Sequence, residues 1–148
     1  MPQNPTLGFL LHDVARLLRK RFEQRTRDIG LTRTQWQTLV YLARLEGASQ
    51  KQLAEMMEVE PITLARVADK LCEKGLIERR PDETDRRINR LHLTDLSRPL
   101  ISELHARGDA TRAEALEGIS AEDLARFFEI LLAMKTNLVG ACRSTACE

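Results

Sequence analysis

Apolar residues recur near the start of the chain at Leu7, Leu10, Leu11, Val14, Leu17, Leu18 and Phe22. This is the 3.6-residue period of a helical stripe, and it predicts a helix from Thr6 to Asp28 with one buried face. Thr6 is placed to cap its start, and Gly30 follows its end. "TRTQ" (Thr32 to Gln35) is a capping-box pattern, in which a hydroxyl and an amide satisfy backbone N–H groups left over at a helix start. It opens a second helix through Trp36, Leu39, Val40 and Leu42 to about Glu46. "SQKQ" (Ser49 to Gln52) repeats the pattern and opens a short third helix carrying Leu53, Ala54 and Met57. Pro61 then stands where a helix tolerates a missing N–H, at its first position. That fourth helix runs to about Lys74 and ends at Gly75, with Leu64, Val67, Ala68 and Leu71 facing inward.

Beyond Gly75 the period changes. "LIERR" and "RINRLHLT" alternate in part, with Leu91 and Leu93 on one face and His92 on the other, and "PDETD" between them supplies turn chemistry. This hairpin is the one sheet the sequence predicts. Two helical segments follow, from near Thr94 and from Ser120, and Pro99 requires the first of them to start late or bend. "FFEILLAM" (Phe127 to Met134) is apolar on nearly every side except Glu129. A lone amphipathic helix needs only a stripe, so the excess predicts packing between subunits, by helices at the two ends of the chain. A central helix buried within a monomer is the other reading.

The chain has 148 residues, 30% of them charged and 43% hydrophobic, a size and balance that suit one globular domain. The net charge of +1 does not announce an anionic partner, but its distribution does. From His12 to Arg33 seven Lys or Arg face three Asp or Glu, a local +4, whereas Leu100 to Glu148 carries a local −3. A basic region suggests a face for an anionic partner. No apolar run approaches the roughly 20 residues of a membrane span, and "MPQNPTLGFLLHD" lacks a secretory pattern. A cytoplasmic protein is expected. Cys72, Cys142 and Cys147 form an odd, scattered set rather than a disulfide framework. His12, His92 and His105 have no metal-ligand spacing. With no nucleophile–base pair and no phosphate loop in the sequence, no enzyme, metal or cofactor is expected.

Gln50 to Val67 has the spacing of a helix-turn-helix, with Leu53, Met57, Val59, Leu64 and Val67 as its small core and Ala54 allowing close approach. A basic hairpin follows at once: "RRPDETDRRINRLHLT" (Arg79 to Thr94) holds five arginines and three carboxylates. Helix, helix, hairpin is the winged-helix order, in which the second helix enters the major groove. Off its core stripe lie Pro61, Ile62, Thr63, Ala65, Arg66, Asp69 and Lys70. Ser49 and Gln50 stand at the preceding helix start, where backbone N–H groups can bind phosphate; capping alone is the other reading of Ser49.

In "LTRTQW", "LARVADKLCEKGLIERR", "DRRINRLHLT" and "RPLISE…TRAEALEGISAEDL" the chain resembles the MarR family of winged-helix transcriptional regulators, closest to its SlyA branch. The resemblance spans Leu31 to Leu124. It implies a mainly α fold with a small β-hairpin wing. A winged helix-turn-helix lobe at about 32–94 would be flanked by dimerisation helices at about 6–30 and 95–140, in a single domain over 1–148. It further implies a homodimer whose recognition helices read a pseudo-palindromic double-stranded DNA operator, each wing reaching the minor groove. Arg66 then corresponds to a base- or phosphate-contacting arginine, and Thr63 to a position of small hydroxyls. Arg87 of the Asp-x-Arg motif is the inserted residue. Asp85, which points the same way as Arg87 in the expected strand pairing, orients it, and Arg86 points toward a phosphate. Minor grooves narrowed by A·T sequence attract such an arginine.

The resemblance also implies a pocket for a small aromatic carboxylate effector. Arg16 is the candidate partner for the carboxylate and Trp36 the aromatic wall, against the alternative of a core Trp36 and a solvated Arg16. Glu58 departs from the pattern, standing where many helix-turn-helix units have Gly. A left-handed φ there costs on the order of 1 kcal/mol, so a differently shaped turn is expected. "ACRSTACE" (Ala141 to Glu148) reads as a mobile tail. Competing readings are a winged-helix module for protein contacts and a cysteine-based redox sensor. Neither the operator, the regulated genes nor the choice between repression and anti-silencing is written in the sequence.

Overall fold

Side-chain capping marks the start of three helices among the described residues. A computed structural model describes residues 5–145. Helix α1 spans Leu7–Thr26 and runs into a single 3-10 turn, Arg27–Ile29, closed by Gly30 at φ 74°. Thr6 occupies the N-cap position of α1, but its side chain makes no capping hydrogen bond. Helices α2 (Arg33–Arg44) and α3 (Gln50–Met57) both start in complete capping boxes. Helix α4 is Pro61–Glu73, with Pro61 in its first turn. Strands β1 (Ile77–Pro81) and β2 (Asn89–Leu93) pair antiparallel, from Ile77 opposite Leu93 to Pro81 opposite Asn89. Helix α5 is Ser97–Ala115, starting three residues after Thr94 so that Pro99 falls in its first turn. Helix α6 is Ala121–Thr145, entered where the Ser120 hydroxyl accepts from the Asp123 N–H at 3.1 Å.

Two compact units divide within α5, between Arg112 and Ala113. The core of the first is Leu39 and Leu42 of α2, Leu53 of α3, Leu64 and Leu71 of α4, and Leu91 of β2, all fully buried. The N–H of Gly47 donates to Leu91 O and the N–H of Leu91 donates to Ala48 O, each at 2.9 Å, so the segment before α3 adds a short third rung to the hairpin. Arg107 of α5 donates to Arg25 O at 2.6 Å and to both Asp28 carboxylate oxygens, fastening α5 to the end of α1. Its guanidinium also meets Glu103, and the two carboxylates raise its proton affinity further.

Two expectations fail here, those for Glu58 and for the C-terminal tail. Glu58 is left-handed, at φ 54° and ψ 42°. Its N–H donates to Glu55 O at 3.2 Å, and the N–H of Val59 donates to Ala54 O at 3.1 Å. This is the paired helix-end motif that demands a left-handed residue after the last turn, and the sequence offers no glycine for it. Within one chain the stripe on α1 is uncovered over most of its length: Leu7, Leu10 and Leu17 are half or more exposed, Val14 nearly so, and only Phe22 and Thr26 are buried. "ACRSTACE" is helical as far as Thr145, so exposed Cys142 sits on α6, while Cys147 lies outside the described residues. In the second unit, Phe127, Phe128, Ile130 and Leu132 of α6 are exposed. No helix among the described residues is long and apolar enough to cross a membrane.

Candidate nucleic-acid interface

Ser49 is committed to its cap: its hydroxyl accepts from the Gln52 N–H at 3.1 Å, and its N–H donates to Gln52 Oε1 at 3.0 Å. Gln50, the first residue of α3, is held from outside, its Oε1 accepting from Arg79 Nε at 2.6 Å. The same guanidinium donates through Nη2 to Asp69 Oδ1 at 2.7 Å and to Ala65 O at 3.4 Å. One side chain from β1 thereby ties α3 to α4. Sequence reading missed Arg79, although the signal was present. It lies two residues after buried Ile77, and a period of two turns both toward the helices.

The outer face of α4 is exposed. Buried Leu64, Ala68 and Leu71 mark one side of the helix, and at about 100° per residue Ile62, Arg66 and Asp69 lie opposite. Pro61, Ile62, Thr63, Arg66 and Lys70 are all exposed. Lys70 Nζ reaches Glu73 Oε2 at 3.3 Å. Ala65 is half-buried.

The wing is built on Asp82, which is nearly buried. Its Oδ1 accepts from the Thr84 N–H at 2.8 Å, the Thr84 hydroxyl at 2.7 Å and the Asp85 N–H at 3.1 Å. Its other oxygen accepts from Arg90, whose Nη1 donates to Gly47 O at 2.9 Å. These donors, the Thr84 hydroxyl first, hold the Asp82 carboxyl well below the usual carboxylate range. Beyond it, the Ile88 N–H donates to Asp85 O at 3.0 Å, closing a turn with Arg86 and Arg87 at its two central positions. Arg87 meets Asp85 through two parallel hydrogen bonds of 3.0 Å, and its own N–H donates to Asp85 Oδ1 at 3.1 Å. The pairing therefore comes from a turn and not from alternate positions of one strand, because the strands stop at Pro81 and Asn89. It lowers the Asp85 carboxyl and raises the Arg87 guanidinium. The Arg87 side chain remains 90% exposed.

A concavity of about 360 Å³ joins these parts, lined by Ser49, Gln50 and Pro61 from the two helix starts and by Arg87 and Ile88 from the wing. Lys51 and Asn89 complete it; sequence reading had passed over both. Ile62, Thr63, Arg66 and Lys70 do not line it, and Asp85 and Arg86 stand at the wing tip.

A second cavity, about 320 Å³, lies within the first unit between α1, α2 and α5. Phe22 meets Trp36 edge to face at 4.6 Å between ring centroids. Both line the cavity with Leu18, Val40 and Leu104, and its basic groups are Arg19, His105 and Arg112. Arg16 does not line it. It lies on the order of 110° around α1 from the centre of the lining face formed by Leu18, Arg19 and Phe22, and pairs with Asp13 at 3.6 Å. Among the described residues no cluster of His, Cys, Asp or Glu is arranged for a metal.

Residues 31–88 match the MarR family. The crystal structure of the transcriptional regulator PA3341 is 32% identical over 91% of this chain and 99% of that one, with a TM-score of 0.82. The crystal structure of the transcriptional regulator SlyA is 25% identical, covering 90% of this chain and 94% of that one, with a TM-score of 0.79. Wild-type MarR from E. coli, at 22% identity, 89% and 98% coverage and a TM-score of 0.79, shares the fold. The helix-turn-helix, the hairpin that follows it and the near-complete overlap with PA3341 lead to one assignment: the chain belongs to the MarR family and has the winged-helix fold of its transcriptional regulators.

Proposed function

We propose that the protein is a sequence-specific double-stranded DNA-binding transcriptional regulator of the SlyA-like branch, acting as a homodimer on pseudo-palindromic operators. The observation that carries this reading is the concavity shared by the starts of α3 and α4 and the wing, with Arg87 held outward by Asp85. Gln50, Pro61, Ile62, Thr63, Arg66 and Lys70 meet the major groove and its phosphates, and Ser49 caps the helix start that faces them. Asp85 orients Arg87 into the minor groove, and Arg86 meets its phosphates. Two recognition heads require two copies, and the exposed apolar faces of α1 and α6 support that assembly. The chain acts without a catalytic centre, in the cytoplasm. Selection of bound sequences from random duplexes tests the reading: an enriched inverted repeat bound by a species at twice 16.9 kDa is expected, and salt-insensitive or absent duplex binding refutes it. The same test separates it from a protein-contact module.

Release by a small aromatic carboxylate is a second part of this reading, supported by the Trp36 cavity. Its basic partner is Arg19 or Arg112 in place of Arg16. A benzoate-like acid should quench Trp36 fluorescence and weaken operator binding by about 5–150-fold. A redox switch finds less support, since burial pushes the half-buried Cys72 thiol up and away from the reactive thiolate.

A further inference from the structure

We propose that Ile62 is a specificity-determining residue that reads the 5-methyl group of a thymine in the major groove, within about two base-pair steps of the base met by Arg66. The inference rests on the DNA-binding reading above and names part of what is read. Ile62 is 64% exposed in the first turn of α4, directly opposite the buried line of Leu64, Ala68 and Leu71. It belongs to neither the core nor its partly buried fringe. It does not cap the helix, whose N-cap is Glu60 and whose first residue is Pro61. A β-branched residue also gains little from helix propensity. Local structure therefore gives no reason for a large apolar group at the point of α4 farthest from the core.

Its surroundings narrow the occupant. Thr63, Arg66, Asp69 and Lys70 share the exposed side of α4, so Ile62 is one apolar group on a polar, partly cationic face. A stable protein interface buries about 800 Å² per partner around an apolar centre, which a single isoleucine does not provide. An anionic surface carrying isolated methyl groups fits better, and thymine is the base whose major-groove edge presents one. Arg66 lies four residues further along nearly the same line of the helix. Four residues span about 6 Å of helix axis, against about 3.4 Å per base step, which sets the spacing between the groups they meet.

The test uses the full chain and an operator obtained by selection from random duplexes. Each thymine is replaced in turn by 2′-deoxyuridine, which removes the methyl and leaves base pairing intact. One position in each half-site should lose about four-fold in affinity, the worth of one buried methyl, and about fifteen-fold when both half-sites are changed. Ile62→Ala should bind thymine and deoxyuridine operators equally, whereas Ile62→Val should keep most of the discrimination. The inference is overturned if wild-type protein binds the operator but no position responds to deoxyuridine. It is equally overturned if Ile62→Ala retains the full discrimination, or if Ile62→Ala leaves duplex binding unchanged and abolishes a protein contact. Failure of the wild-type chain to bind any duplex overturns the DNA-binding reading and this inference with it.

Discussion

Replacing Glu58 by glycine should make the protein more stable. A residue with a Cβ held left-handed costs about 1–2 kcal/mol, and Glu58 is the one non-glycine residue at positive φ among those described. Its φ of 54° and ψ of 42° lie at the centre of that region, and the paired hydrogen bonds from Glu58 and Val59 leave the backbone no alternative there. Glycine removes the steric cost but adds freedom to the unfolded chain, worth about 0.5–1 kcal/mol in the other direction. The balance is a gain of about 0.5–1 kcal/mol, or roughly 1–4 °C in Tm for a chain of this size. Urea and thermal unfolding at one fixed protein concentration measure it, since association shifts Tm by mass action. Glu58→Ala is the control that separates backbone from charge, because alanine keeps the Cβ and should gain nothing. Destabilisation by Glu58→Gly, or an equal gain from Glu58→Ala, would refute the reasoning.

Arg87→Ala should weaken operator binding most where the flanks are A·T-rich and lower the salt slope by roughly one unit for each phosphate no longer neutralised; parental affinity on every flank would remove the wing from the minor groove. Arg79→Met should destabilise the protein by about 0.5–1.5 kcal/mol, since it removes the half-buried hydrogen bond to Gln50 and the more exposed pair with Asp69, and Arg79→Lys should not rescue it because an ammonium lacks the planar fork. Chemical denaturation reads both variants. For Asp82 the folded carboxyl is lowered, so its contribution to the wing is complete above about pH 4 and disappears only as acid takes the pH through the lowered value. The Thr84 amide resonance should therefore titrate well below pH 4, and a midpoint in the ordinary aspartate range would contradict the network around Asp82.

What the sequence revealed and what it concealed divide along a physical line. The capping boxes at Thr32 and Ser49, Pro61 at the head of α4 and the hairpin after Gly75 depend on neighbours a few residues away, and each appears where the pattern placed it. The pairing of Asp85 with Arg87 was legible too, but its cause was not. It needs the turn that Asp82 organises, and that carboxylate is fixed by Arg90 from the far strand. Arg79 was hidden because its partners lie up to 29 residues away in α3 and α4. Glu58 misled because local cost argued against a conformation that the junction of two helices imposes. Arg16 and Trp36 do not share one cavity, for a simpler reason. Sharing neighbouring helices does not make two side chains face the same space, and Arg19 lines the cavity where Arg16 does not.

The fork of Arg79 has a mechanical consequence. Because one guanidinium joins the start of α3, the middle of α4 and β1, tilting α4 while the wing stays still would break these hydrogen bonds. On the proposed reading, each head is then closer to a single casting than to a hand with movable fingers. A signal that spares those bonds repositions such a head as a rigid body, through the helices that carry it. On the proposed assembly, control therefore acts on the spacing and angle between two heads of unchanged shape. An effector would leave the preference of one half-site intact and alter the separation at which two half-sites are tolerated.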